Sequence, residues 1–362
     1  MILTFGEVML RLTAPDHKRY VQSIPGSLNA SFGGGEANVA VSLAQFGNAA
    51  TFMTALPKGG VTDAFLVEMR RWGVDTSRLH LSNEGRFGIY FVETGSNLRP
   101  SVVLYDRAYS TISLTPPGAY HFETALEGID WVHTTGITPS LSREAYEATL
   151  ALVKAAADKG IPVSLDLNFR KKLWRWDNTQ SPKELARACM TEILPYVNVI
   201  IANEEDASDV LGIEAEGTSI EEGNIAADAY VEVARKVAKQ FAAVDKVAIT
   251  LRESYSADHN NWGALLFDKK EDKGYFAPLD AAGKYASYEI HNIIDRVGGG
   301  DSFGAGLIHA LRSKDMCDPQ TAIRFAVAAS ALKHTIHGDL NLTSEAEVKA
   351  LMGGSTSGRV QR

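Results

Sequence analysis

Hydrophobic positions along this chain fall into two periods that take turns. Short apolar runs at Ile2–Phe5, Thr51–Leu56, Trp131–Thr134, Val163–Leu167, Val197–Ile201 and Lys246–Leu251 have the length of strands and carry many β-branched residues. Between them, longer stretches with a helical repeat occupy Glu36–Phe46, Asp63–Trp72, Arg143–Lys159, Pro182–Ile193 and Ile225–Gln240. Strands alternating with helices of this length predict a mainly parallel sheet covered by helices on both faces. One region breaks the rhythm. Phe87–Glu93 and Val102–Tyr105 are β-rich and are joined by a loop at Thr94–Pro100, with no helix between them. With a strand-capable stretch between Leu10 and Phe32, they predict a small antiparallel lid over one edge of the sheet. The resulting organisation is one domain over residues 1–352, a lid formed from about 10–32 and 86–113, and a flexible tail at 353–362, GGSTSGRVQR.

Composition narrows the class. The chain has 362 residues, 45% of them hydrophobic, enough for one large α/β domain. Its formal net charge is −8 and no long Lys/Arg block occurs, which argues against a nucleic-acid surface. An anionic substrate would need locally placed cations. The two cysteines, Cys189 and Cys317, stand in no metal-ligand spacing and are expected to be inert thiols of a reducing compartment. The start, MILTFGEVML, lacks a basic segment and a small-residue cleavage site, so it reads as a first buried strand rather than a signal peptide. No apolar run approaches the roughly 20 residues that span a bilayer. A cytoplasmic location, away from membranes, is the expectation.

The segment richest in chemistry is Asp295–Gly306, DRVGGGDSFGAG. Three consecutive glycines, Gly298, Gly299 and Gly300, leave backbone N–H groups uncovered. A following helix, compatible with the sequence through Leu311, aims more N–H groups and its positive end at the same point. Such a turn suits a phosphate. Asp301 stands at its rim, where a carboxylate repels phosphate but can take a proton from an attacking hydroxyl. The plainer alternative is a tight turn with Asp301 as the helix N-cap. No GxxxxGK[ST] loop is present, and no GxGxxG follows the first strand, which weighs against a nicotinamide dehydrogenase.

Asp295–Gly306 resembles the C-terminal signature of the ribokinase-like (PfkB) carbohydrate kinases, DTxGAGDxFxxG, with Arg296 in place of the Thr and Gly299 in place of the Ala. The N-terminal signature of that family also fits, in GGGEANVAVSLAQFG from Gly33 to Gly47. The resemblance implies a three-layer α/β/α domain with a β-rich lid, and ATP and Mg²⁺ bound beside the C-terminal motif. It makes Asp301 the general base and Gly298–Gly300 the anion hole, and it places the sugar against Gly34, Gly35 and Asn38. Asn203–Asp206, NEED, resembles the family's NxxE element. It implies that Asn203 lies on the nucleotide side and that Asp206 or Glu205 organises Mg²⁺ through water, although Asp206 is shorter than the usual Glu. Arg252, following the apolar run Val247–Leu251, is placed to reach the phosphates or to face solvent.

Within the family the chain is most similar to the 2-keto-3-deoxygluconate kinases. Tyr90 in GIYF, Tyr105 and Arg107 in LYDRAYS, and Arg170 in SLDLNFRKKLW resemble the stretches that contact that sugar acid. Physical chemistry agrees: the guanidinium fork donates paired hydrogen bonds to a carboxylate, and residues two apart on an extended segment share a face. Arg170 follows a parallel strand, at the edge where such sheets bind ligands. Neutral-sugar members carry an Asp where this chain has Arg11, and an arginine accepts no hydrogen bond. Arg11 is expected to bind a polar ligand group or face solvent, and His337 to be structural. The implied reaction is ATP-dependent phosphorylation of 2-dehydro-3-deoxy-D-gluconate on its 6-hydroxyl. The alternatives are the galactonate epimer, a neutral sugar such as fructose or ribose, and a non-catalytic sugar sensor. The resemblance also implies a homo-oligomer, a dimer through the lid.

Overall fold

The computed structural model describes residues 1–203, 205–213 and 227–354. The first two residues of the helix expected at Ile225–Gln240, and all but two of the tail at 353–362, lie outside that range. Fifteen strands are numbered in chain order: β1 Ile2–Phe5, β2 Met9–Thr13, β3 Asn29–Gly33, β4 Ala50–Met53, β5 Ala55–Pro57, β6 His80–Ser82, β7 Gly88–Glu93, β8 Val102–Asp106, β9 Trp131–Thr135, β10 Val163–Asp166, β11 Val199–Ala202, β12 Lys246–Ser256, β13 His259–Asp268, β14 Lys273–Ala277 and β15 Tyr288–His291. The main sheet has the order β14-β13-β12-β11-β10-β9-β1-β4, with β15 pairing β13 beyond that path. From β4 to β12 every pairing is parallel; β13, β14 and β15 are antiparallel additions.

Side-chain alternation explains the three layers. In a strand, neighbours point to opposite faces. Leu3, Ile200 and Val247 enter one core, with helices α3 (Arg143–Asp158), α4 (Pro182–Ile193) and α5 (Ala227–Gln240). Ile2, Val199, Ile201 and Ala248 enter the other, against α6 (Gly299–Arg312) and α7 (Pro319–Lys333). Helix starts follow local chemistry. Ser142 Oγ caps α3 by accepting from Ala145 N at 3.0 Å, and Ser181 and Glu184 form a reciprocal capping box on α4.

A four-stranded sheet, β3-β2-β7-β8, forms the lid. It departs from the antiparallel expectation at its centre, where β2 and β7 run parallel; β2–β3 and β7–β8 are antiparallel. Two further differences come from tertiary pairing. The run at Thr51–Leu56 is not one strand: the chain leaves the main sheet after Met53, and β5 pairs β6 instead. The strand beginning at Lys246 does not end at Leu251. It continues to Ser256 because β13 supplies an antiparallel partner along its length.

Candidate active site

A cavity of about 480 Å³ opens at the C-terminal ends of β10 and β11, beside Thr250 and Arg252 of β12 and under the lid. That is the edge where parallel strands and helix N-termini leave backbone groups facing outward. It collects Gly34, Gly35, Asn38, Tyr90, Tyr105, Arg107, Arg170, Asn203, Asp206, Arg252, Gly298, Gly299, Gly300 and Asp301, residues spread over almost the whole chain. Of the sequence candidates, Glu205 and Arg11 are missing from this wall; Glu205 is exposed.

Two helix N-termini converge on Asp301. The helix Gly35–Gln45 (α1) presents Asn38, whose Nδ2 donates to Asp301 Oδ2 at 2.6 Å. Gly298 is the N-cap of α6, so Asp301 sits inside the first turn and is not the cap. Gly298 has φ +83°, and a Cβ there would collide with the Asp339 carbonyl, so only glycine makes this turn. Gly298, Gly299 and Gly300 line the cavity; the Gly299 N–H donates to the Arg296 carbonyl at 3.4 Å, and the first-turn N–H groups of α6 have no intrahelical partner, as helix geometry requires. Burial pushes the Asp301 carboxyl up to about 6, opposed by the Asn38 hydrogen bond and by Arg170 and Lys333.

Two more carboxylates line the same wall. Asp166, at the end of β10, is held well above the usual carboxylate range by burial and then by the charges of Asp206 and Asp301. Asp206 is raised by burial, although its two oxygens accept N–H groups from Phe169 and Asn203, both at 3.0 Å. Asn203 Oδ1 in turn accepts from the N–H groups of Glu205 and Asp206. Glu36, in the first turn of α1, accepts from Thr135 N, Thr135 Oγ1 and Thr138 Oγ1; burial raises its carboxyl to about 7.

The lid side is built from side-chain pairs. Arg107 is buried against Glu7 in an ion pair, and its guanidinium lies 5.3 Å from the Tyr105 ring. Arg107 Nε and Glu7 Oε1 are buried without a hydrogen-bond partner, leaving one donor and one acceptor uncommitted in the pair. Tyr90 and Tyr105 stack with centroids 6.2 Å apart. The Tyr90 hydroxyl donates to Asp339 Oδ2 at 2.5 Å, so Tyr90 offers the cavity mainly its ring. Arg170 is exposed, its Nη1 donating to the Phe169 carbonyl at 3.1 Å.

Arg11 neither meets a ligand nor faces solvent. Its side chain is 2% exposed, clamped between Asp295 and Asp339 at 2.6 Å each. Lys333, also buried, donates to the carbonyls of Asp295 and Ile336. Arg252 is within β12 opposite Trp262, rather than beyond a strand end. Arg296, the substitution in the glycine motif, donates to the carbonyls of Ser256 and Ala257 and holds the β12–β13 hairpin. His337 is exposed.

Sequence reasoning missed Glu7, Asp166, Asp339 and Lys333. Asp166 had a usable signal, since it ends a parallel strand four residues before Arg170. Glu7 follows the first strand in the same way. Asp339 and Lys333 had none, because their partners lie on distant elements.

A poised carboxylate at a glycine-built helix start, under a β lid on a parallel sheet, defines a phosphotransferase site for a hydroxyl acceptor. The sequence matches the pfkB family carbohydrate kinase profile over residues 1–346, and the chain belongs to that family. A solved structure of 2-dehydro-3-deoxygluconokinase from Thermotoga maritima is 42% identical, with 98% of this chain and 99% of that one covered and a TM-score of 0.86. A PfkB family carbohydrate kinase from Listeria grayi is 28% identical over 97% of this chain and 99% of that one, TM-score 0.84. The 2-dehydro-3-deoxygalactonokinase of Haloferax volcanii is 29% identical over 99% of this chain and 98% of its own length. Among the described residues no helix is long and apolar enough to cross a membrane.

Proposed function

We propose that this carbohydrate kinase transfers the γ-phosphoryl group of ATP to the 6-hydroxyl of 2-dehydro-3-deoxy-D-gluconate, giving ADP and the 6-phosphate. The observation that carries the proposal is Asp301 in the first turn of α6, in one cavity with Arg107 and Arg170. The similar chains of Thermotoga maritima and Haloferax volcanii are named for the two epimeric keto-deoxy acids, which supports a sugar acid over a neutral sugar.

The acid's carboxylate and keto group bind Arg107 and Arg170, and the Tyr90–Tyr105 pair forms a flat wall for the carbon chain. Gly34, Gly35 and Asn38 border the hydroxyl end. Asp301 accepts the 6-hydroxyl proton as the new O–P bond forms; the bond to ADP breaks and ADP keeps its electron pair. The amides at Gly298–Gly300 stabilise the equatorial oxygens of the transferring group. Asn203 and Arg252 face the nucleotide. The donor set fits Mg²⁺: Asp166, Asp206 and Asp301 crowd negative charge onto one wall, which a divalent cation relieves. When bound, Mg²⁺ offsets phosphate charge on the nucleotide. Asp206, rather than the exposed Glu205, stands where the cation's water shell would be held. We place the reaction in the cytoplasm, where ATP is supplied.

The test is ADP release with ATP and Mg²⁺ across 2-keto-3-deoxygluconate, its galactonate epimer, fructose, ribose and gluconate. A high kcat/KM for the gluconate-derived keto-deoxy acid and little for the neutral sugars is expected. Preference for the galactonate epimer would reassign the hydroxyl contacts, and preference for fructose or ribose would overturn the arginine pocket. We also infer a dimer through the lid. Strand β8 is an edge strand with Val102 47% and Leu104 57% exposed, an apolar edge that a second copy would pair. A monomer in light scattering at micromolar concentration would overturn it.

A further inference from the structure

β15 runs antiparallel to β13 with His259 directly opposite His291. Directly opposed residues project from the same face of a sheet, and so does a residue two positions along. Glu289 therefore joins the two histidines. The rings lie with centroids 4.0 Å apart, and Glu289 Oε1 is 3.7 Å from His259 Nε2 and 3.3 Å from His291 Nε2. One ligand atom from each of the three falls within 4.8 Å of the others. His259 Nε2 is shut off from solvent yet has no hydrogen-bond partner, and Tyr255 stacks on the same ring at 4.8 Å. Glu289 and His291 are open to solvent, so an ion has a path in.

We propose that His259, Glu289 and His291 form a zinc site. Two imidazoles and one carboxylate are a borderline donor set that favours Zn²⁺ over Mg²⁺ or Ca²⁺, which take oxygen ligands. Three protein ligands leave the fourth tetrahedral position to water. The site lies apart from the phosphoryl-transfer cavity, since none of its ligands lines that wall. It nevertheless grips a segment the cavity depends on. From His291 the chain passes through Ile293, whose N–H donates to the Asp258 carbonyl at 3.1 Å, to Arg296. The same hairpin touches the lid loop, where Ala257 N–H donates to the Asn97 carbonyl at 2.8 Å and Asn97 N–H to Asp258 Oδ2 at 3.3 Å. A zinc ion across β13 and β15 pins this hairpin between the lid and the glycine turn.

Tag-free protein stripped with chelator and titrated with Zn²⁺ against a chromophoric indicator tests the site. One equivalent is expected to bind, and Co²⁺ in its place should show the visible absorption of a four-coordinate ion. His291→Ala and Glu289→Gln, at exposed positions, should fold normally and weaken binding at least tenfold. Zn²⁺ should raise the melting temperature of the wild type but not of His291→Ala. Absence of stoichiometric binding overturns the proposal, as does binding that both variants leave unchanged. None of these readouts depends on the kinase substrate, so the site stands or falls separately from the activity.

Discussion

The two halves of the cavity are made by different means. The side proposed for phosphate is made of backbone: consecutive glycines, a helix start and the ends of β10 and β11. The side proposed for the sugar acid is made of side-chain pairs that join remote parts of the chain, Arg107 to Glu7, Tyr90 to Asp339 and Arg11 to Asp339. A backbone site is rigid and indifferent to what the acceptor carries beyond its hydroxyl. A side-chain site is adjustable, and it is where a family with one chemistry changes substrates. Arg11 links the two halves, since Asp295 opens the glycine motif while Asp339 holds the lid tyrosine.

The sharpest way to separate the halves is Asp301→Asn. It removes the proton acceptor while keeping a side chain of the same shape, and kcat should fall about 10³-fold. Sugar-acid affinity, read by calorimetry, should stay within a few fold; wild-type turnover would remove Asp301 from the chemistry. Arg11→Met breaks the link instead. It strands two buried carboxylates, and denaturant unfolding should show a loss of about 3–5 kcal/mol. A loss below about 1 kcal/mol would mean that the ion pairs do not hold the two halves together. Arg170→Ala acts on the acid side alone. The KM for the keto-deoxy acid should rise about 10–100-fold, the value of one or two charge-assisted hydrogen bonds, with little change for ATP. An unchanged KM would remove that residue from the pocket.

The smallest effect is a pH dependence with opposite signs for activity and stability. A base must be deprotonated, so kcat/KM should climb roughly tenfold per pH unit and level off above about 6, the value to which burial raises Asp301. Stability runs the other way. The folded state holds this proton more tightly than the unfolded chain, so the contribution is full below the ordinary carboxylate range and is lost as pH rises through about 6. In Asp301→Asn this part of the slope should vanish from melting curves taken between pH 4 and 7. A slope matching the wild type would assign it to Glu36, which burial raises to about 7.

Legibility followed the same division. The glycine run, Asn38 and Asp301 stood out because close backbone approach and helix starts leave a local mark on composition. Tyr90, Tyr105, Arg107 and Arg170 were singled out, and Tyr105 and Arg107 were placed on one face, but the carboxylate partners Glu7 and Asp339 were not seen. The lone arginine at position 11 looked like a ligand or solvent contact because its two carboxylate partners are 284 and 328 residues away. The antiparallel additions β13–β15 were missed, although Trp262–Phe267 of β13 is an unbroken buried run; β14 and β15 are only partly buried and leave a weak mark on the sequence. The partner that lengthens β12 is not written in β12 itself.

The sequence by itself determined which segments become strands and helices of the central layers, since period and length are local properties. It also determined the glycine turn, because no other residue adopts a left-handed φ against a neighbouring carbonyl at so little cost. Only the tertiary structure decided which charges meet. Whether an arginine binds substrate, as proposed for Arg170, or is locked between buried carboxylates, as Arg11 is, depends on what surrounds it once the chain has folded. A guanidinium is the same donor in either place; burial and the nearest carboxylate set its role.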